Sequence, residues 1–224
     1  MLLAGSGSSN AACEALEHLC RTYWYPLYAY ARRCGFGPQD AEDLVQGFFA
    51  RLVEKDMLSR IQRDGGRFRS FLLTCFSRFV NDHRDGAHRL KRGGGREIFS
   101  LDDEPERRYW LEPADVRDPA KVFERRWALT VLETVLARLK SELEAEGKGR
   151  LFEHLQAWIV GDTAKARQAE AAAQLGLSEG AVAVTVHRLR QRYRRLLREE
   201  VAQTVQSLDE VDDELRHLMA VLRS

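Results

Sequence analysis

The stretch from Gln168 to Leu197 constrains the fold most, because it has the pattern of two helices joined by a tight turn. An alanine-rich segment ends at Leu175. Gly176 follows it, and glycine is the residue that most easily takes the left-handed conformation in which a chain leaves a helix. Ser178 stands where a helix N-cap belongs, and Glu179 places negative charge at the positive end of the next helix. The pattern therefore predicts a helix–turn–helix.

The second helix of this pair has one apolar side and one cationic side. Its apolar residues are spaced by four, three, four and three positions, which places them on one face. Six arginines fall between Arg188 and Arg198 with no acidic residue among them. Such a helix suits the major groove of DNA, although similar pairs also occur as plain packing units. The predicted buried stripe is Val182, Val186, Leu189, Tyr193 and Leu196.

Charge is unevenly distributed along the chain, although the net charge is only +1 over 224 residues. Residues 60–96 hold ten basic and three acidic residues, and residues 97–124 hold four basic and nine acidic ones. Residues 199–224 hold two basic and seven acidic ones. These blocks predict two basic surfaces separated by acidic connecting segments.

Neither a membrane span, a secretory signal nor a disulfide framework is predicted. No apolar run reaches the roughly 18 residues of a spanning helix, and the N-terminus lacks the charged and apolar regions of a signal peptide. The four cysteines form no CxxC pair. Cys13, Glu17, His18 and Cys20 have side chains that can ligate zinc, but their spacing is not a zinc-finger pattern. A reduced, cytoplasmic protein without membrane insertion, metal or cofactor is expected.

The remaining sequence predicts further helices and no convincing strand, so the expected fold is all-α. Residues 1–10 are rich in Gly and Ser and are expected to be disordered. Pro26 should kink or split the first helix. Residues 97–119 are acidic, low in apolar residues and are expected to be a linker. The helices predicted before the helix–turn–helix span about Ala11–Cys34, Gln39–Lys55, Arg67–Asp85 and Ala120–Glu146, with a short one ended by Gly161.

The C-terminal tail has a capping box, Ser207-x-x-Glu210, ahead of an apolar stripe. Two interpretations of the tail are open. In the first, the stripe packs on the long Ala120–Glu146 helix. In the second, its acidic side also competes with DNA for Arg192, Arg194 and Arg195. The predicted stripe is Leu208, Val211, Leu215, Leu218 and Leu222.

Three segments of the chain resemble the bacterial RNA polymerase sigma factors, specifically the extracytoplasmic-function (ECF) class of the sigma-70 family. They are DAEDLVQGFFARL at Asp40–Leu52, FRSFLLTCFSRFVND at Phe68–Asp82 and LGLSEGAVAVTVHRLRQRY at Leu175–Tyr193, in the family's order. The resemblance implies two helical domains joined by a flexible linker, the second a helix–turn–helix domain. The implied boundaries are a disordered N-terminus at 1–10, domain 2 at 11–96, an acidic linker at 97–119, domain 4 at 120–200 and an acidic C-terminal helix at 201–224.

The resemblance also implies a function, which is to bind core RNA polymerase and direct it to promoters, with no enzymatic activity of its own. The implied partners are the β′ clamp helices and the β flap of the polymerase, promoter DNA, and an anti-sigma factor or other regulator. Implied polymerase contacts are Asp40, Glu42, Asp43, Leu44, Gln46 and Phe49. Implied contacts with the −10 promoter element are Arg69, Ser77, Arg78, Asn81, Arg84, Arg89, Lys91 and Arg92. Implied contacts with the −35 element are Ser178, Glu179, Ala183, Val184, His187, Arg188, Gln191 and Arg195.

The chain departs from the family pattern at two of these surfaces. Many relatives have Gln-Glu where this chain has Gln46-Gly47, so one docking charge is missing. The recognition helix has Ala, Val and Thr at positions 183–185, where relatives often carry Lys, Ser and Arg. Promoter recognition is therefore expected to depend on Val184 against a thymine methyl group and on Arg188.

Two other functions compete with this interpretation. A helix–turn–helix repressor or activator would not dock on polymerase, which leaves the Asp40–Leu52 and Phe68–Arg96 segments without a role. A metal phosphohydrolase built on Asp82, His83 and nearby acids would need a second metal-binding motif, and the sequence has none.

Overall fold

The computed structural model describes residues 9–54, 67–90, 105, 108–109, 118–161, 166–205 and 207–223. These residues form eight α-helices, one short 3-10 helix and no strand, which confirms the predicted all-α fold. The helices are α1 (Ser9–Arg33), α2 (Pro38–Glu54), α3 (Phe68–Leu90), α4 (Pro119–Ala145), α5 (Gly149–Val160), α6 (Ala166–Leu175), α7 (Glu179–Ala202) and α8 (Val211–Arg223), with the 3-10 helix at Leu208–Glu210.

Local signals in the sequence set several helix ends. The backbone N–H of Ala120 donates to the Asp118 carboxylate at 2.9 Å, which caps the start of α4. Pro26 lies inside α1, which continues on both sides of it, so of the two predicted outcomes, a kink or a split, the split does not occur. Helix α3 continues past Asp85 to Leu90.

The chain divides into two compact units. Unit 1 comprises Met1–Thr130 and Ala202–Ser224, and unit 2 comprises Val131–Val201. The division differs from the boundaries drawn from the sequence. It falls inside α4 rather than between residues 119 and 120, and it assigns the C-terminal segment to unit 1.

The core of unit 1 is aromatic. Helices α1, α2 and α3 pack together, with Phe48 edge-on to Phe76 at 5.0 Å between ring centroids. Tyr23 meets Phe68 edge-on at 5.3 Å and stacks on Phe123 from the start of α4 at 6.4 Å. Each such pair adds about 0.5–1.5 kcal/mol beyond the apolar area that it buries. The aromatic residues of α1, α2 and α3 therefore form one common core.

A buried ion cluster joins three helices of unit 1. Arg69 of α3 is 2% exposed, and its Nε donates to Glu214 of α8 at 3.0 Å. Arg69 also pairs with Glu124 of α4, and its guanidinium lies 4.7 Å from the centre of the Trp127 ring. His217 of α8 lies 2.8 Å from the second Glu124 oxygen. The cluster fixes α8 against α3 and α4.

The tail packs differently from its predicted stripe. Val211 and Leu218 are buried as expected, but Leu208 is 77% exposed because it belongs to the 3-10 helix that precedes α8. Glu214 is 1% exposed and occupies the buried face instead. The buried carboxylate of Glu214 is stabilised by opposite charge from Arg69 of α3 and from Arg67, which lies just before α3.

Unit 2 is built around α7. The second half of α4 packs with α5, α6 and α7 in one continuous apolar core. The Tyr193 hydroxyl of α7 donates to the backbone oxygen of Leu132 at 3.4 Å, and burial raises the pKa of this phenol to about 12. Arg190 donates to the backbone oxygens of Trp158 and Gly161, at 2.8 and 3.1 Å. These bonds fix α7 to the carboxyl end of α5.

Candidate nucleic-acid interface

The turn between α6 and α7 has the geometry that its residues predict. Gly176 has φ 64°, and the N–H of Leu177 returns to the Ala172 oxygen at 2.9 Å, as at a glycine-terminated helix end. The Ser178 hydroxyl accepts from the Ala181 N–H at 3.2 Å, which confirms the predicted N-cap. Three residues therefore separate the two helices, and the start of α7 is presented at the surface.

One side of α7 is buried and the other is exposed, as the spacing predicts. The five predicted stripe residues, Val182, Val186, Leu189, Tyr193 and Leu196, are all buried. On the opposite side Val184 has 51% of its surface exposed, which is unusual for a large apolar residue and leaves its methyl groups free to contact a partner. The residues predicted to contact the −35 element are all exposed: Ser178, Glu179, Ala183, Val184, His187, Arg188, Gln191 and Arg195.

The arginines of α7 do not all belong to the exposed side. Arg192 pairs with Glu142 and Glu146 of α4, both at 2.7 Å, so it holds the helix in place. Hydrogen bonds to these carboxylates raise the pKa of Arg192, while Lys148 and then Arg192 lower the pKa of Glu146. Arg190 has the positioning contacts with α5 described above. Two of the six arginines between Arg188 and Arg198 are therefore engaged in contacts that hold α7 in place.

One acidic residue, Glu199, pairs with the remaining cationic side of α7. Arg195 pairs with Glu199 at 2.7 Å, and Glu199 also meets Arg138 of α4 at 2.9 Å. Arg188 and Arg194 are exposed, and no ion pair to either is seen in the described part of the chain. Arg188 lies one turn from Val184, so these two side chains are presented together.

On α3, the predicted −10 contacts differ in exposure. Arg78, Asn81 and Arg84 are exposed and Ser77 is half-buried. Arg84 donates to the Cys34 oxygen at 2.6 Å and lies over the Phe36 ring, which ties the end of α1 to α3. Arg89 lies on α3, but its side chain is outside the described residues, as are Lys91 and Arg92 entirely.

Arg69 is a correction to the predicted −10 surface. Its side chain is 3% exposed and bound by two carboxylates and an indole ring, so it cannot contact DNA while α8 is docked. No local pattern around Arg69 indicates this role, because Glu214 lies 145 residues away along the chain.

On α2, some of the predicted polymerase contacts are exposed and others are buried. Asp40, Asp43 and Gln46 are exposed and Glu42 is half-buried. Leu44 and Phe49 are 2% and 9% exposed and belong to the core of unit 1, which corrects their assignment to the docking surface. Both lie among the buried apolar residues of α2, and such residues are more often core than contact.

The described residues contain no group of three or more His, Cys, Asp or Glu side chains arranged to hold a metal ion. Asp82 and His83, which the phosphohydrolase hypothesis required, are exposed, and the His83 ring lies 5.8 Å from that of Phe79. None of the described helices is long and apolar enough to cross a membrane.

Comparison with known proteins assigns the family. The sequence model of the ECF sigma factors matches residues 17–202, which include α2, α3 and the α6–α7 pair. No curated protein and no solved structure matches the chain significantly. Sigma factors act in transcription initiation and are not a class of enzymes. The match covers well over half of the sequence, and the chain belongs to the ECF sigma factors.

Proposed function

We propose that this sigma factor reads the −35 promoter element with the exposed side of α7, and that α3 opens and reads the −10 element. The observation that supports the first part most strongly is the two-sided character of α7. Its apolar stripe is buried in unit 2, while all eight predicted contact residues are exposed. A helix held in this way presents its N-terminal half to the major groove as one rigid surface.

Sequence recognition by α7 rests on two kinds of contact. The Arg188 guanidinium can donate two hydrogen bonds to a guanine edge, and the exposed Val184 methyl groups suit the methyl group of thymine. Arg194 and Arg195 lie further along the helix and suit phosphates, which supply affinity without sequence information. The −35 element is expected to contain a G and a T at neighbouring positions.

Recognition of the −10 element is assigned to the exposed residues of α3. Arg78, Asn81 and Arg84 carry donors for phosphates and for the edges of unpaired bases. Extruding a base from the duplex costs a few kcal/mol of stacking, which contacts with the flipped base repay. Arg69 is not part of this proposal, because it is buried.

Polymerase docking is assigned to the exposed side of α2. Asp40, Asp43 and Gln46 form an acidic and polar surface over the buried residues of the same helix. Such a surface suits a partner of opposite charge, in which complementarity contributes specificity and association rate. The β′ clamp helices are the proposed partner, and the β flap is the proposed partner of unit 2.

Transcription with core RNA polymerase tests the proposal. The purified chain and core polymerase should give run-off transcripts from a subset of a randomised promoter library, and the enriched promoters should share two separated elements. Co-purification with core polymerase distinguishes this function from that of a repressor or activator. Sequence-specific DNA binding without any binding to core polymerase would favour the repressor or activator.

A further inference from the structure

The turn that follows α1 is fixed by its own sequence. Gly35 has φ 94°, and its N–H donates to the backbone oxygen of Arg32 at 3.0 Å. The N–H of Phe36 returns to the Ala31 oxygen at 3.3 Å, as at a helix that ends on a left-handed glycine. Arg32 also donates from Nη1 to the Phe36 oxygen at 2.6 Å. The end of α1 is therefore held in one conformation by contacts between near neighbours.

This turn orients Arg84, one of the exposed residues of α3 that are proposed to read the −10 element. Nη2 of Arg84 donates to the Cys34 oxygen at 2.6 Å, and the guanidinium lies 5.6 Å from the centre of the Phe36 ring. A guanidinium has five N–H donors, so it can bind a further group while these contacts hold it. The end of α1 thus helps to position a residue of the proposed DNA-reading surface.

Tyr30, in the last turn of α1, reaches the same surface. Its ring meets the Phe76 ring of α3 edge-on, at 5.7 Å between centroids, and the residue is half-buried. Its hydroxyl is within hydrogen-bonding reach of the Ser77 hydroxyl. Ser77 lies on one face of α3 with Asn81 and Arg84, at spacings of four and three residues. The Tyr30 hydroxyl is therefore beside the face that carries the proposed −10 contacts.

Packing against Phe76 accounts for the ring of Tyr30 but not for its hydroxyl. Phe48 of α2 meets the same Phe76 ring edge-on at 5.0 Å, and it has no hydroxyl group. A phenylalanine at position 30 would make the same contact, since edge-to-face pairing is a property of the rings. The polar neighbours of the hydroxyl, Cys34 and Ser77, therefore indicate its role.

Two adjacent hydroxyl groups have a chemistry that suits an unpaired base. Each of them can donate one hydrogen bond and accept others. Burial raises the pKa of the Tyr30 phenol, so the phenol stays protonated at neutral pH and remains a donor. The Watson–Crick edge of an unpaired base carries donors and acceptors side by side, and hydrogen bonds to this edge are how flipped bases are read. The hydroxyl groups of Tyr30 and Ser77 together match such an edge.

We propose that Tyr30 and Ser77 together contact one unpaired base of the −10 element, so that the end of α1 forms one side of the reading surface on α3. This assignment rests on the proposed function, in which α3 reads the −10 element. It adds a specificity-determining residue from α1, a helix to which the sequence pattern assigned no promoter contact. Both residues belong to unit 1.

Run-off transcription by the full chain with core polymerase, from promoters with a randomised −10 element, tests the pair. Tyr30→Phe removes one oxygen and keeps the ring, and it should weaken base preference several-fold at a single −10 position. Ser77→Ala should act at the same position, and the double variant should lose little more than the larger single loss, because both groups contact one base. The control is Tyr25→Phe, the same change at a buried tyrosine of α1 whose ring lies 4.3 Å from the Arg108 guanidinium. It should leave every preference unchanged.

The outcomes separate this assignment from the proposed function. Unchanged −10 preferences in Tyr30→Phe, or changes at different positions in Tyr30→Phe and Ser77→Ala, would overturn the pair and leave the sigma-factor proposal standing. An equal loss on all promoters, with a lower urea midpoint, would mean that the Tyr30 hydroxyl only stabilises packing, and it would overturn the pair as well. No transcription by the unmodified chain would refute the proposed function and, with it, the assignment of a −10 base.

Discussion

Arg188 is the residue on which sequence recognition by α7 is expected to depend most. It is exposed, it lies one turn from Val184, and no ion pair to it is seen in the described residues. Arg188→Ala should relax sequence preference, with a loss of about 1–3 kcal/mol at one base pair, because a bidentate base contact is removed. Competition binding of the full chain to matched and single-mismatch duplexes measures this.

Arg195→Ala is the control for Arg188→Ala, since Arg195 is exposed on the same helix but already pairs with Glu199. It should lower affinity about equally for all sequences and make binding less salt-dependent. The distinction between a base contact and a phosphate contact is wrong if both variants lose affinity equally on matched and mismatched duplexes.

Glu214 is expected to contribute most to the stability of the C-terminal segment. Glu214→Gln removes the charge that faces Arg67 and Arg69, and breaking a buried ion pair costs roughly 3–5 kcal/mol. The loss should fall near the lower end, because Arg69 keeps Glu124. Urea unfolding compares this variant with Asp213→Asn, an exposed acid on the same helix that should change stability by less than about 0.5 kcal/mol. Equal midpoints for the two variants would contradict the role of the cluster.

At the scale of elements, two glycines of the helix–turn–helix should respond oppositely to substitution by alanine. Gly176 has φ 64°, so Gly176→Ala should destabilise the turn by about 1–2 kcal/mol. Gly180 lies in the first turn of α7, where an added Cβ would meet open space. Gly180→Ala should therefore stabilise the chain by roughly 0.5–1 kcal/mol. Thermal unfolding measures both, and equal shifts for the two variants would mean that the turn conformation is not the constraint.

Helix α2 has a glycine where its docking surface lacks a charge. A Cβ at Gly47 would lie 3.6 Å from the Phe79 ring, an ordinary contact, so Gly47→Ala should stabilise the helix by about 0.5–1 kcal/mol. Gly47→Glu should also fold, and it should bind core polymerase more tightly than Gly47→Ala because it restores a carboxylate beside Gln46. Titration of labelled chain with core polymerase compares the two variants, and equal affinities would count against this surface.

At the scale of the whole molecule, stable binding to core polymerase should require the exposed side of α2. Asp43→Arg together with Gln46→Ala should abolish binding to core polymerase and leave the circular dichroism spectrum unchanged, because both side chains are exposed. Glu153→Arg with Gln156→Ala is the control, since it makes the same charge change at the same spacing on the exposed side of α5. Unchanged polymerase binding by the α2 variant would place the docking surface elsewhere.

Much of the candidate site was predictable from the sequence because it depends on neighbours along the chain. The turn at Gly176, the cap at Ser178 and the buried stripe from Val182 to Leu196 follow from helix periodicity and local hydrogen bonding. The exposed side of α7 follows from the same periodicity. The all-α fold follows because every strong periodic segment has a helical repeat.

The sequence by itself therefore determined which segments are helices, where the turn between α6 and α7 lies and which face of α7 is exposed, because these properties depend on residues within about four positions of one another. Only the tertiary structure decided which arginines pair within the chain, since Arg69 and Arg192 find their partners 145 and 50 residues away. It also decided that the unit boundary lies inside α4 and that the tail returns to unit 1. Such pairings depend on how the helices pack, and spacing along one helix carries no information about which distant helix will lie against it.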